Sequence, residues 1–157
     1  MDPLRWEHVA TDLSVPAKPN GLWTLAVPFV AESSIAKVIA TGSWTYAANQ
    51  RCTPDGVRMP QGVQRNVCLN PSALVGSLIA KVGGGSADVD GTIVGIGHHG
   101  ILVVPEGKSG PLYLTINDTI DGIEDNGGEL AVQVFVAPAP EGPKPSAKAP
   151  DTPASGS

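Results

Sequence analysis

Hydrophobic residues recur at every second position in several short stretches of the chain, the spacing of a β-strand with one buried face. The clearest stretches are 23–29, 112–116 and 130–136. Further strands are predicted at 6–13, 35–41, 74–82, 91–97 and 101–104, with turns rich in glycine and proline between them. No stretch has a convincing helical period. About eight short strands with closely spaced turns predict an all-β fold, a small antiparallel β-sandwich.

Two features interrupt this pattern. Pro28 lies inside the second strand, and because proline cannot donate to a ladder, that strand is expected at a sheet edge or a bulge. The segment 47–71 is polar and contains Pro54, Pro60 and Gly62 among its turn formers. It is predicted to be a long excursion from the scaffold, and such loops within a compact domain are usually functional.

The composition changes sharply near Ala137, where the sequence becomes rich in proline, alanine and serine. Such a segment buries too little apolar surface to fold and favours an extended, polyproline-like conformation. We therefore expect one β-sandwich domain over residues 1–136 and a disordered tail or linker over residues 137–157. At 157 residues in total, the chain is long enough for one domain with a real core.

Charge and composition narrow the class of partner. The formal net charge is −5 and the chain has no lysine or arginine cluster, so neither nucleic acid nor an anionic membrane is an expected partner. No apolar run approaches the thickness of a bilayer, and the first residues lack the apolar segment of a signal peptide. The expected location is therefore cytoplasmic synthesis, with release to the extracellular space or cell surface only by a route independent of a signal peptide. Cys52 and Cys68 are too few for a disulfide scaffold, although they could close the loop between them in an oxidising compartment; two free thiols are the default expectation.

The segment 114–128 carries the most distinctive chemistry, because acidic, amide and glycine residues are concentrated between two predicted strands. We interpret it as a hairpin loop that presents oxygen ligands, and oxygen ligands without cysteine or histidine favour calcium. The alternative is a solvated turn, since the same residue types dominate ordinary loops. An EF-hand is excluded: counted from Asn117, the twelfth position is Gly128 rather than glutamate, and both flanks are predicted strands.

Four segments taken in order, 38–46, 75–83, 110–118 and 125–128, together resemble the LecA (PA-IL-like) galactose-binding lectin family. The resemblance covers most of the chain between Trp6 and Val136. Members of this family are small β-sandwiches of the galactose-binding-domain-like jelly-roll type. They bind one calcium ion, which directly coordinates two hydroxyls of a galactoside.

By position, the resemblance implies a calcium site formed by the backbone carbonyls of Tyr46 and Gly122 and the side chains of Asp118, Asp125 and Asn126. Asp125 stands where the family usually has an amide, which raises the negative charge at the metal. Gly122 replaces a larger residue, which preserves a carbonyl ligand but removes any side-chain contact to sugar.

The sugar contacts implied by the resemblance are Asp118, Thr119, Asp125 and Gln61. The family also uses a histidine and a glutamine from the excursion to hold the sugar's primary hydroxyl. Here the excursion has a different length, so Gln61 is the best candidate and no histidine aligns. Galactose preference is therefore a weaker expectation than the calcium site.

Other candidate sites have simpler explanations. His98-His99 has no third zinc ligand at a recognisable spacing, and the segment 83–86 lacks the end of a phosphate-binding loop, so both are predicted turns. Asp88 and Asp90 could form a hydrolytic carboxylate pair, but a surface turn is the preferred interpretation. The glycosylation sequon that begins at Asn117 would place a glycan against the proposed metal.

The expected function is a calcium-dependent lectin for galactosides or glycoconjugates, without catalytic activity. The alternative is a calcium-stabilised structural or interaction module of the same fold that does not bind sugar. A hydrolase has little support, since no nucleophile lies in a recognisable context. Because a single shallow sugar site binds weakly, avidity would come from a homo-oligomer or from display on a larger assembly through the tail.

Overall fold

The computed structural model describes residues 6–19, 21–47, 49–58 and 68–138, without the side chains of residues 7–12 and 121. The described residues contain nine β-strands and a short 3₁₀ helix at Asp121–Asp125. The strands are β1 (Glu7–Pro16), β2 (Thr24–Val30), β3 (Ile35–Ala47), β4 (Gln50–Cys52), β5 (Leu78–Val82), β6 (Thr92–Gly95), β7 (His99–Val103), β8 (Gly110–Ile116) and β9 (Gly127–Ala137). In the part of the chain so described, no helix is long and apolar enough to cross a membrane.

The strands form two antiparallel sheets. The first has the order β1-β9-β3-β4, and β7 pairs with the beginning of β3 on the same side as β4. The second has the order β2-β8-β5-β6. Apolar residues from both sheets form one buried core, so the sheets pack face to face and the predicted β-sandwich is confirmed.

The alternation read from the sequence explains which residues face this core. Leu112, Leu114 and Ile116 of β8 are completely buried in it, and so are Leu130 and Val134 of β9. Because successive side chains of a strand point to opposite faces, the intervening residues of β8 lie on the outer face of the second sheet. These intervening residues are buried as well, because a second cluster made of Trp23, Ile79 and Tyr113 covers that face.

The outer cluster contains a buried lysine. The Lys81 ammonium lies 4.9 Å from the ring centre of Trp23 and 5.0 Å from that of Tyr113. It donates to the backbone oxygens of Gly85 and Asp88 at 2.6 and 2.9 Å and to the Asp88 carboxylate at 3.1 Å. Asp88 is therefore an ion-pair partner that anchors the β5–β6 turn, which agrees with the preferred interpretation of Asp88 and Asp90 as turn residues.

The prediction that segment 114–128 forms a hairpin loop is wrong. The strands on either side of it, β8 and β9, belong to different sheets: β8 pairs with β2 and β5, and β9 pairs with β1 and β3. Both strands have an alternating pattern because each contributes its apolar face to the same core from opposite sides. The connection therefore crosses the end of the sandwich, and its middle forms the 3₁₀ helix instead of a turn.

Several strand boundaries also differ from the prediction. β3 does not end at Gly42 but continues to Ala47, and Gly42 stays paired with Leu130 of β9 with a φ of 104° that suits glycine. The predicted excursion begins with β4, which returns along the end of β3. The expectation for Pro28 is confirmed, because β2 is an edge strand and its ladder with β8 is irregular between Val27 and Val30.

Candidate functional site

The candidate site lies at the end of the sandwich where three segments meet. Strand β3 packs against the 3₁₀ helix, and Thr45, next to Tyr46, pairs with Gly127 just after that helix. Gly76 lies between Tyr46 and Asn117. A Cβ atom at Gly76 would lie 3.4 Å from Cβ of Tyr46, and the Gly76 N–H donates to the carbonyl of Asn117 at 2.8 Å. Residues distant in sequence thus converge on the connection between β8 and β9.

Asn117 organises this end of the sandwich. Its side chain is fully buried, and its Oδ1 accepts a hydrogen bond from the Asn70 N–H at 2.8 Å. Its Nδ2 donates to the carbonyls of Asn70, Ala73 and Leu74 at 2.9, 3.1 and 3.1 Å. These bonds fix segment 70–74 to the end of β8 and explain why Asn117 cannot accept a glycan in the folded protein. The sequence pattern gave no reason to assign it this role.

Asp118 is a fully buried carboxylate. Its Oδ1 accepts from the Thr119 N–H at 2.7 Å and its Oδ2 accepts from Nδ2 of Asn126 at 2.9 Å. Burial raises the pKa of Asp118 above the usual value for an aspartate; the two hydrogen bonds oppose that shift, and the negative charge of nearby Asp125 adds to it. Among the described residues no lysine, arginine or histidine forms an ion pair with it. A charged carboxylate buried without a cation is costly, so Asp118 is neutralised either by a proton or by a bound cation.

Asn126 carries the second unusual feature. Its Nδ2 donates to Asp118 and also to the carbonyl of Ala17 at 3.2 Å. Its Oδ1 is buried and has no hydrogen-bond donor among the described residues. Buried acceptors are nearly always paired, so an orphaned amide oxygen beside a buried carboxylate is the arrangement a cation would complete.

Gly122 lies directly against these groups. A Cβ atom at this position would stand 2.6 Å from Oγ1 of Thr119 and 2.7 Å from Oδ1 of Asp118. The Gly122 N–H donates to Oγ1 of Thr119 at 2.8 Å. Only a glycine allows the backbone of the 3₁₀ helix to approach the carboxylate this closely, which gives a physical reason for the departure noted in the sequence.

The structure therefore brings together the predicted residues that it describes. Asp118, Asn126 and Gly122 are in direct contact or close approach, and Asp125 is near enough to act on Asp118 electrostatically. Strand β3, which carries Tyr46, packs on the same helix. Thr119 joins the site through its backbone N–H and hydroxyl. Gln61 lies outside the described residues, so its predicted role stays a prediction.

This donor set fits calcium. It combines carboxylate, amide and backbone oxygens, which are the hard ligands calcium prefers. No group of three or more histidine, cysteine, aspartate or glutamate side chains gathers into a metal-binding cluster in the part of the chain that the structure covers. A cation here would therefore depend on the amide of Asn126 and on carbonyls as much as on carboxylates.

The other candidates behave as ordinary structural residues. His98 lies in the turn before β7, and its Nδ1 contacts both carboxylate oxygens of Asp55 at 2.9 Å, so it pairs with an acid instead of forming a zinc site. His99 is the first residue of β7. Cys52 and Cys68 are both buried. Burial raises the pKa of Cys52 to about 11.

No protein-family model matches this chain, and no curated protein matches it. Among solved structures, the chain is similar to the N-terminal domain of EclA, described as a PllA-like lectin, with a TM-score of 0.58 and 23% sequence identity. The match covers 78% of this chain and 92% of that chain. At this identity the likeness shows a shared β-sandwich fold.

Proposed function

We propose that this protein is a calcium-dependent carbohydrate-binding protein, with terminal galactosides as its ligand class. The proposal rests on the surroundings of Asp118. This buried carboxylate has no cationic partner among the described residues, and it accepts a hydrogen bond from Asn126. The Oδ1 of Asn126 in turn has no hydrogen-bond donor among the described residues. The shared fold with a PllA-like lectin supports the carbohydrate part of the proposal.

Asp118, Asp125 and Asn126, with the carbonyls of Tyr46 and Gly122, would hold the calcium ion. When bound, the ion supplies the positive charge that attracts vicinal sugar hydroxyls in place of water. Asp118 and Asp125 then accept hydrogen bonds from those hydroxyls, and such bonds to a charged acceptor are about twice as strong as neutral ones. Asp125 is exposed, so it is accessible to a ligand in solution.

The chain fixes these groups before any ligand arrives. The Thr119 N–H and Asn126 Nδ2 each hold one oxygen of the Asp118 carboxylate, and the Asn117 side chain holds the loop beside it. Little conformational freedom is therefore lost on binding, which favours affinity in a shallow site.

Isothermal titration calorimetry with a simple β-galactoside, in calcium and again after EDTA treatment, tests the proposal. We expect saturable heat in calcium that disappears after chelation. Asp118→Asn should abolish it, because it removes the charge while keeping the shape of the side chain. Glu124→Gln is the matched control, since Glu124 is an exposed acid in the same 3₁₀ helix and is not a proposed ligand.

The competing function is a module that uses calcium only for stability. It predicts a calcium-dependent rise in Tm, lost in Asp118→Asn, with no heat from any galactoside. Gln61→Ala separates the two functions further, because it should weaken a sugar binder without changing the response to calcium. Turnover of a chromogenic galactoside would contradict both proposals and indicate a hydrolase.

A further inference from the structure

The turn between β5 and β6, residues 83–91, surrounds the Lys81 ammonium with oxygen atoms. Lys81 is completely buried, and each of its three N–H groups has an acceptor: the carbonyls of Gly85 and Asp88 and the Asp88 carboxylate. The ring centres of Trp23 and Tyr113 lie within 5.0 Å of the same ammonium. The ammonium has therefore exchanged its water for two carbonyls, one carboxylate and two aromatic rings.

The turn also has a framework that does not involve Lys81. The Asp88 carboxylate accepts from the Gly85 N–H at 3.1 Å, and the Asp88 carbonyl accepts from Nε1 of Trp23 at 2.8 Å. The Ser86 carbonyl accepts from the N–H groups of Leu22 and Trp23 at 2.8 and 3.0 Å. These bonds hold the oxygens of the turn in place against the beginning of β2, whether or not an ammonium lies between them.

All of the groups that contact the ammonium are electron-rich. Carbonyl and carboxylate oxygens carry negative charge, and an aromatic ring is negative on its faces. Hydrogen bonds from the Gly85 N–H and from Lys81 lower the pKa of Asp88, so its carboxylate is charged at neutral pH. Residues 83–91 contain no lysine or arginine, and Lys81 is the ion-pair partner of Asp88 in the described structure. The turn therefore needs a cation from outside its own sequence.

The geometry selects the kind of cation. Calcium takes about six to eight oxygen ligands, whereas the Lys81 ammonium meets three oxygens, and a ring face offers no lone pair to a metal ion. A primary ammonium has three N–H donors for three oxygens and is attracted to aromatic faces. A quaternary ammonium has no N–H to donate.

We propose that the β5–β6 turn is a binding site for a primary ammonium ion and that the side chain of Lys81 is its tethered occupant. The site takes a free alkylammonium ion from solution when the tether is removed. It is independent of the proposed function, because it lies on the second sheet and shares no residue with the candidate site. The two oxygen clusters then differ in the source of their cation: the chain supplies one here, whereas Asp118 has no lysine partner among the described residues.

Thermal unfolding of the full chain carrying Lys81→Ala tests this site. Propylammonium replaces the three carbons and the ammonium that the substitution removes. We expect a saturable rise in Tm with propylammonium chloride, as for any ligand that binds only the folded state. Propanol, which lacks the charge, and tetramethylammonium chloride at the same ionic strength should not produce it, and the wild type should not respond.

Lys37→Ala is the matched control. The Lys37 ammonium also lies near two aromatic rings, 4.8 Å from the ring centre of Trp6 and 4.9 Å from that of Phe135, but it forms no ion pair with a described residue. Its removal should therefore leave no site for propylammonium. If Lys81→Ala does not fold in buffer, propylammonium and not propanol should restore folding. Equal effects of propanol and propylammonium on Lys81→Ala, or no effect of either, would overturn the proposal.

Amide hydrogen exchange in Lys81→Met separates the charge from the packing of the side chain. Methionine keeps most of the apolar stem of lysine and removes the ammonium. The N–H groups of Gly85 and Asp90, which donate to the Asp88 carboxylate, should exchange at least about tenfold faster in this variant. In Lys81→Ala they should regain protection when propylammonium is added. Protection of both amides at the wild-type level in Lys81→Met would show that the stem alone fixes the turn and would contradict an ammonium site.

Discussion

Removing the Asn117 side chain should destabilise the whole sandwich and not only the candidate site. Asn117→Ala deletes a fully buried amide that joins the end of β8 to segment 70–74. The backbone groups that it bonds lie in a loop, so strand pairing cannot replace the lost partners. The loop and β8 should separate locally, and the adjacent Asp118 should lose its fixed position.

The magnitude follows from the bonds themselves. Nδ2 carries two hydrogens shared among three carbonyls, and Oδ1 accepts one N–H, so about three independent hydrogen bonds are lost. At about 1 kcal/mol net for each bond, the free energy of unfolding should fall by about 3 kcal/mol. The Asn70 N–H would lose the acceptor it has in the native protein, which would increase that loss.

Thr115, two residues before Asn117 in β8, offers a control. Its side chain is also fully buried, but its Oγ1 has no hydrogen-bond partner among the described residues. Thr115→Val removes this hydroxyl and keeps the shape, so it should be neutral or stabilise the protein by about 1 kcal/mol. Urea unfolding followed by tryptophan fluorescence measures the free energy of unfolding of both variants. The same m value, the dependence of that free energy on urea concentration, is used for all curves. A loss below about 1 kcal/mol for Asn117→Ala, or equal losses for the two variants, would refute the reasoning.

Three further predictions concern single contacts. Gly122→Ala should weaken calcium binding at least about tenfold by calorimetry with little change in the fold, because its Cβ would lie 2.7 Å from Oδ1 of Asp118; unchanged affinity would place the ion elsewhere. Cys52 should react slowly with a thiol reagent at pH 8 until the protein unfolds, since its pKa is about 11; rapid labelling of the native protein would contradict the burial. The hydrogen bonds from His98 lower the pKa of Asp55, so the pair should stabilise the fold above the usual aspartate pKa and lose that effect as pH falls through the lowered value. Because the pair is exposed, Asp55→Asn should reduce Tm only slightly at neutral pH and should match the wild type below that pH window.

Alternation along the chain was sufficient to predict most strands. β8 and β9 appear in the sequence as clean period-two patterns, and the structure buries the predicted faces of both. The pattern could not show that β8 and β9 belong to different sheets. A strand with one face on the core has the same alternation in either sheet of a sandwich. The prediction that β3 ends at Gly42 is wrong, because the ladder between β3 and β9 continues through Gly42 to Thr45.

The candidate site was predictable only as a set of residue types. Asp118, Asp125 and Asn126 stood out because acidic and amide side chains were concentrated in one short segment. Asn117 was indistinguishable from them, yet its role is to hold a loop about forty-five residues away in sequence. Gly122 looked like a departure from a pattern until its close approach to Asp118 gave it a physical reason.

The sequence by itself determined the all-β class, the absence of a basic surface and the residues that form the acidic connection, because these depend on local spacing and composition. The tertiary structure alone decided that the connection crosses the end of the sandwich, and that Asp118 is buried beside an amide oxygen to which no described residue donates. Burial and hydrogen-bond satisfaction depend on what other segments bring to the same place. Those contacts are long-range, and no local pattern encodes them.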